Sequence, residues 1–230
     1  MSVATATIRR NRIVLLTDAA VYRSDGVLVD TRRKVRPVPG CEGAAFTSRG
    51  VIGAIDMFAA ACSHHPARDF DALVEGLDQI WTDFDKLMSE LMAGATCEII
   101  IAGWSRARQR GEVLYRATHA NNMVQGGQKG TTYLFTGPGH FAFGADESLM
   151  GDVDDFDPRS DGLRAVNAAR KELFDLSCGE ASEPVMGHSI GGWLDATTIG
   201  ADRRVKTETI HTWPDRIGSK INPARAGVMA

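Results

Sequence analysis

The sequence lacks the features that place a chain in a membrane, on nucleic acid or around a metal. The apolar run in its first twenty residues covers only residues 13–16, shorter than a signal-peptide core and far shorter than a membrane span. No membrane partner is expected from it, and a cytoplasmic protein is. No excess of positive charge is present either: 26 Lys and Arg stand against 29 Asp and Glu, a net charge of −3, which removes the electrostatic reason to expect nucleic acid as a partner. The basic cluster Arg32-Arg33-Lys34 is too short to be a binding tail. Cysteine is sparse and scattered, with Cys41, Cys62, Cys97 and Cys178 forming no C-x-x-C pair, which suits a reducing compartment. Histidines do not cluster at metal spacing, and the adjacent His64 and His65 would point apart on a helix, so neither metal nor cofactor is expected. Internal repeats and low-complexity blocks are absent too.

What remains is an ordinary globular composition, 43% hydrophobic and 24% charged over 230 residues, enough for one sizeable core. Residues 3–17 are β-branched and broken at Asn11-Arg12, which predicts a hairpin at the start. Residues 44–47 read as a short buried strand and residues 51–62 as a buried helix. From Phe70 onward, Leu73, Val74, Leu77, Ile80, Trp81, Phe84, Leu87, Met88 and Leu91 follow the three-four spacing of one helical face, with Asp69 placed to cap it. Strands are predicted over residues 97–103, 112–118, 131–136 and 140–143. The acidic segment 152–161 reads as a loop, and Ser160 as the cap of a helix with Leu163, Val166, Leu173 and Leu176 inward. Residues 193–199 and 206–212 read as a closing pair of strands. The order is strands, two helices, strands, helix, strands, without the regular alternation of a doubly wound parallel sheet.

Ile8-Arg9-Arg10-Asn11, Asp18 and Arg33-Lys34-Val35, continued by Ala44-Ala45-Phe46-Thr47-Ser48-Arg49-Gly50 before the first helix, form a pattern that resembles the proteasome family, and in particular its bacterial two-ring, ATP-dependent branch. In that family the nucleophile begins the mature chain, an aspartate follows sixteen residues on, and a lysine sixteen after that; Ser2, Asp18 and Lys34 have that spacing. The resemblance implies an α/β fold, a four-layer α/β/β/α sandwich of the N-terminal-nucleophile hydrolase class with two mainly antiparallel sheets between helical layers. It implies a peptidase that acts on peptide or protein substrates and assembles as a homo-oligomeric ring. Once Met1 is removed, the α-amine of Ser2, with an ordinary pKa of about 7.7–8, would serve as base for its own hydroxyl. Lys34 would favour the alkoxide and Asp18 would orient Lys34. A backbone N–H near Phe143-Gly144-Ala145 would hold the oxyanion, and Ser189 or its neighbouring glycines would form a supporting turn. Three positions depart from the family: serine replaces its usual threonine, Ala145 stands where its Gly-Ser-Gly-like turn carries a serine, and Met186-Gly187 occupies the place of a supporting aspartate before its Ser-Gly-Gly turn.

The expected organisation is a single domain over residues 1–212 with an extension over 213–230. That extension has little to bury and reads as mobile or as an arm for a protein partner. A catalytically silent scaffold or assembly protein is the alternative to a peptidase. Gly187-His188-Ser189-Ile190-Gly191 also matches the G-x-S-x-G nucleophile elbow, with Asp195 or Asp202 and then His211 in the esterase order. That reading, a serine esterase built on Ser189, needs a strand before the serine and a helix after it, whereas an alternating strand pattern follows. Gly126 to Thr132 lacks phosphate-loop spacing, and the aspartates at 152, 154, 155 and 157 lack the Gly and Glu of a calcium loop.

Overall fold

A computed structural model describes residues 2–120, 124, 126–176 and 183–224. The first hairpin forms where the β-branched runs predict it, β1 over Ala4–Ile8 and β2 over Arg12–Asp18, in antiparallel register from Ala4 opposite Thr17 to Ile8 opposite Ile13. A smaller hairpin follows, β3 (Ala20–Tyr22) with β4 (Leu28–Thr31), and then β5 (Arg36–Pro37) and β6 (Ala44–Gly50). Helices α1 (Ala54–His64), α2 (Phe70–Glu75) and α3 (Leu77–Leu91) come next. They lead into β7 (Cys97–Ser105), β8 (Arg110–Ala117), β9 (Thr132–Thr136) and β10 (Gly139–Phe143). Beyond these lie α4 (Leu163–Arg170), two short strands, β11 (Phe174–Asp175) and β12 (Met186–Gly187), and the long closing pair β13 (Trp193–Gly200) and β14 (Val205–Thr212).

One five-stranded antiparallel sheet has the order β10-β1-β2-β13-β14 and a second has β5-β6-β7-β8-β9. Between them lie Ile8, Leu15, Ile100, Val113, Tyr115 and Phe143, all nearly inaccessible to solvent. The outer face of the second sheet packs on α1, α2 and α3 through Phe46, Phe58, Trp81 and Phe84, whose ring centroids lie 4.9–5.8 Å apart. Aromatic pairs at this spacing add about 0.5–1.5 kcal/mol each beyond the area they bury. Gly103 on β7 is what lets Phe70 lie against this sheet, since a Cβ there would meet the Phe70 ring at 2.0 Å. The outer face of the first sheet carries Val14, Leu16 and Leu194 against Phe156, Val166 and Trp213.

The expected α/β class and four-layer arrangement are corrected. The protein is mainly β: 37% of the described residues lie in strands against 23% in helices, and among them the strands form four antiparallel sheets with only four α-helices. The physical reason is visible in residues 137–192. Gly137, Gly144, Gly151 and Gly192 take positive φ there, and the stretch 152–157 carries four aspartates, so among the described residues of that range only Leu163–Arg170 sustains an α-helix. The outer face of the first sheet is therefore covered by loops and one eight-residue helix. Smaller differences follow the same logic. Asp69 caps as predicted by accepting from Ala72 N–H, but Gly76 divides the long periodic segment into α2 and α3. Asp157, not Ser160, caps the turn that enters α4, and Leu173 lies beyond the helix and is exposed. Among the described residues, no helix is long and apolar enough to cross a membrane.

Candidate active site

Ser2 lies just before β1, and the β1–β2 register brings the end of β2 back beside it. Asp18, 1% exposed, accepts from Val3 N–H at 3.2 Å on one carboxylate oxygen and from Ala20 N–H at 3.1 Å and Gly191 N–H at 3.3 Å on the other. Gly191 reaches it because β13 pairs along the free edge of β2, with Leu194 opposite Asp18. The β3–β4 hairpin, closed by Arg32 N–H donating to Ala19 C=O at 2.9 Å, returns the chain so that residue 34 passes over residue 18.

Lys34 Nζ then donates to Asp18 Oδ1 at 2.9 Å and to Ser2 Oγ at 2.8 Å. The three residues selected by their sixteen-residue spacing thus meet as one hydrogen-bonded chain. Burial pushes the Lys34 ammonium below its ordinary pKa, the neighbouring Asp18 carboxylate pulls it back up, and the Arg49 charge pushes it down again. A desolvated lysine of this kind exchanges its proton more readily than a surface one.

Arg49 was not anticipated. At the end of β6 it is opposite Glu98 in the β6–β7 register, and both side chains are nearly inaccessible to solvent. Its Nε donates to the backbone carbonyl of Ser2 at 2.6 Å and its Nη1 to Glu98 Oε2 at 2.5 Å. The signal was present in the sequence: Glu98 is a charged residue inside the otherwise apolar run 97–103, and a carboxylate buried in a strand requires a cationic partner.

Gly144 is brought to the same place. With Ala4 opposite Phe143 in the β1–β10 register, Gly144 follows at φ +85°, and a Cβ on it would lie 3.1 Å from the Ser2 carbonyl oxygen and 3.0 Å from Arg49 Nη2. Ala145 turns away to pack on the apolar cluster of the outer face. Ser189 is 1% exposed, two residues before Gly191, and its hydroxyl has no hydrogen-bond partner among the described residues. The esterase triad is not assembled. Asp195 is engaged by Arg33, Trp193 Nε1 and Thr209 Oγ1, His211 stacks edge-on to Trp213, and β13 rather than a helix follows the serine.

A cavity of about 350 Å³ opens beside Ser2 and Lys34, walled in part by Tyr22, Val51, Ile52 and Ile55. No protein-family profile matches the chain, and no curated protein does either. Among the described residues, no group of three or more His, Cys, Asp or Glu side chains comes together as a metal site.

The turn that carries Gly191 is held from its far side. Arg170 of α4 donates to Ile190 C=O and pairs with Asp215 through both terminal nitrogens at 2.9 and 2.6 Å, while Gly192 N–H donates to Asp215 at 2.9 Å. Residues 213–221 are therefore anchored at several points, with Trp213 and Ile221 buried and Leu28 bonded to Gly218 and Ser219 through the backbone, while Ile217 between them is exposed. Met1 and residues 225–230, where processing and an interaction arm were expected, lie outside the described residues.

Proposed function

We propose that the protein hydrolyses amide bonds in peptides or proteins, with Ser2 as an N-terminal nucleophile of the proteasome type. The observation that carries this reading is the chain from Ser2 Oγ to Lys34 Nζ at 2.8 Å and on to Asp18 at 2.9 Å, in a buried setting that opens on a cavity. A surface lysine has no reason to be buried between a saturated carboxylate and a hydroxyl.

In this reading Met1 is removed and the free α-amine of Ser2 takes the Oγ proton as Oγ attacks the substrate carbonyl carbon. Lys34 stabilises the developing charge on Oγ, and Asp18 fixes Lys34 in position. Collapse of the tetrahedral intermediate expels the leaving amine, which carries off that proton, and leaves an ester on Ser2. Water, deprotonated by the same α-amine, then releases the acid and restores the serine. The apolar walls of the cavity suit a substrate with an apolar side chain next to the cleaved bond. A ring of like subunits belongs to the same reading and is tested by sedimentation.

The deciding experiment is intact-mass spectrometry before and after exposure to a peptidyl epoxyketone, an electrophile that an adjacent amine and hydroxyl close into a ring. Loss of Met1 with one adduct, absent from Ser2→Ala, upholds the proposal. An acyl adduct on Ser2 with a simple activated ester while Met1 is retained would make Lys34, with its lowered pKa, the base instead. Retained Met1 with no adduct of either kind sinks the catalytic reading. It leaves the scaffold alternative, which Ala145 favours because no hydroxyl stands at that position to hold the amine.

A further inference from the structure

We infer that Arg49, braced by Glu98, is a positioning residue that clamps the peptide group joining Ser2 to Val3; this deepens the reading of Ser2 as the nucleophile and rests on it.

The carbonyl of Ser2 and the N–H of Val3 are the two ends of one planar amide. Arg49 Nε donates to that carbonyl at 2.6 Å, and Asp18 Oδ1 accepts from that N–H at 3.2 Å. The plane is thus held between a buried cation and a buried anion, each supplying a charge-assisted bond, and such bonds are roughly twice as strong as neutral ones. Fixing the plane leaves residue 2 only its ψ torsion, about the Cα–C bond, and the rotation of its own side chain. Lys34 then settles the side chain through Oγ. Without Arg49 the plane is held by one end alone and can tilt, which would carry Oγ away from Lys34 even though Lys34 and Asp18 remain in place.

Glu98 braces the clamp, and its second oxygen lies 3.6 Å from His119 Nε2. Gly144 provides the room, because any side chain there would enter the space held by Arg49 and the Ser2 carbonyl. The cation also has an electrostatic consequence. Its charge disfavours a proton on Lys34, against the pull of Asp18, and the same field acts on an α-ammonium at residue 2.

The test uses the full chain and the variants Arg49→Met, Arg49→Lys and Glu98→Gln, each checked for a cooperative melt. Labelling by the epoxyketone is resolved into the maximal inactivation rate and the inhibitor's half-saturating concentration, as a function of pH. Hydrogen exchange at the Val3 amide, read by mass spectrometry of the N-terminal fragment, is measured beside it. In Arg49→Met the maximal rate should fall about tenfold to a hundredfold, as expected for a misplaced reacting atom, with half-saturation changed by no more than about twofold. Its pH midpoint should move upward and Val3 exchange should quicken. Arg49→Lys and Glu98→Gln should show smaller effects in the same direction. A folded Arg49→Met with wild-type rate and wild-type exchange overturns the assignment.

If the wild-type protein does not label, the proposed function has failed separately, and the clamp is judged by exchange alone: faster exchange at Val3 upholds it and unchanged exchange overturns it. If Arg49→Met does not fold, the other two variants decide by the same readouts. A set in which none folds makes Arg49 a residue of the fold and overturns the assignment as well.

Discussion

Two buried ion pairs flank the turn 189–192, and they differ in what the cation is free to do. On one side Asp215 meets Arg170 through both terminal nitrogens, with side chains only 2% and 5% exposed and the Arg170 guanidinium 4.9 Å over the Trp213 ring. On the other side Asp18 meets Lys34, which spends a second hydrogen bond on Ser2 Oγ at the edge of a cavity. Gly192 N–H serves the first carboxylate and Gly191 N–H the second. The pairs share charge type, burial and one turn, yet the Arg170 fork is spent on Asp215 and the Ile190 carbonyl, while the compact Lys34 ammonium turns one donor to Ser2 Oγ. The first arrangement suits a rivet and the second suits chemistry.

The sharpest way to break the comparison is to give Asp18 the cation that Asp215 has. Lys34→Arg keeps the charge but should lower the labelling rate of Ser2 by about 10²–10⁴-fold, because a planar guanidinium cannot replace the single Nζ that donates to Ser2 Oγ at 2.8 Å and to Asp18 Oδ1 at 2.9 Å. A near-normal rate in this variant would mean that charge alone suffices. Next in size is the rivet itself. Asp215→Ala leaves Arg170 buried and unpaired and should cost about 3–5 kcal/mol in urea unfolding, while labelling per folded molecule falls by less than about tenfold. A small stability loss with abolished labelling would show that the two pairs act as one unit through the turn.

The smallest effect is a pH dependence. Because the folded state lowers the Lys34 pKa below the ordinary 10.5, the unfolded chain binds the extra proton between the lowered value and 10.5. Stability therefore rises with pH across that window. The wild-type protein should gain on Lys34→Arg as pH is raised from neutral toward 10, measured as the difference in urea midpoints. A difference that narrows would reverse the sign assigned to the shift.

The contact of Lys34 with Ser2 and Asp18 was legible in the sequence and the Arg170–Asp215 pair was not. Ser2, Asp18 and Lys34 come from neighbouring strands and hairpins, so their equal spacing survives folding as proximity. Asp215 and Arg170 are 45 residues apart and meet only because α4 and residues 213–221 close on the same turn, which no local period announces. The extension 213–230 was read as having little to bury, yet Trp213 and Ile221 within it are buried. The Arg49–Glu98 pair is a cross-strand contact between β6 and β7 separated by three helices, visible in sequence only as a carboxylate out of place. The layer arrangement was misjudged for a related reason. Strand and helix order along the chain does not say how much helix the acidic, glycine-bearing stretch after β10 can sustain.

Asp18 receives one of its hydrogen bonds from Gly191, 173 residues further along the chain, and β2 is completed as an inner strand only when β13 arrives. During translation the hairpin that carries Ser2 leaves the ribosome long before that partner exists. At about 5–20 residues per second, the intervening stretch takes on the order of ten seconds or more to synthesise. Over that interval the carboxylate that holds Lys34 lacks part of its support and the strand beside it has an open edge. Under the proposed function, a nascent chain would therefore carry a serine with ordinary reactivity, and its hydroxyl would be activated only after β13 has joined β2.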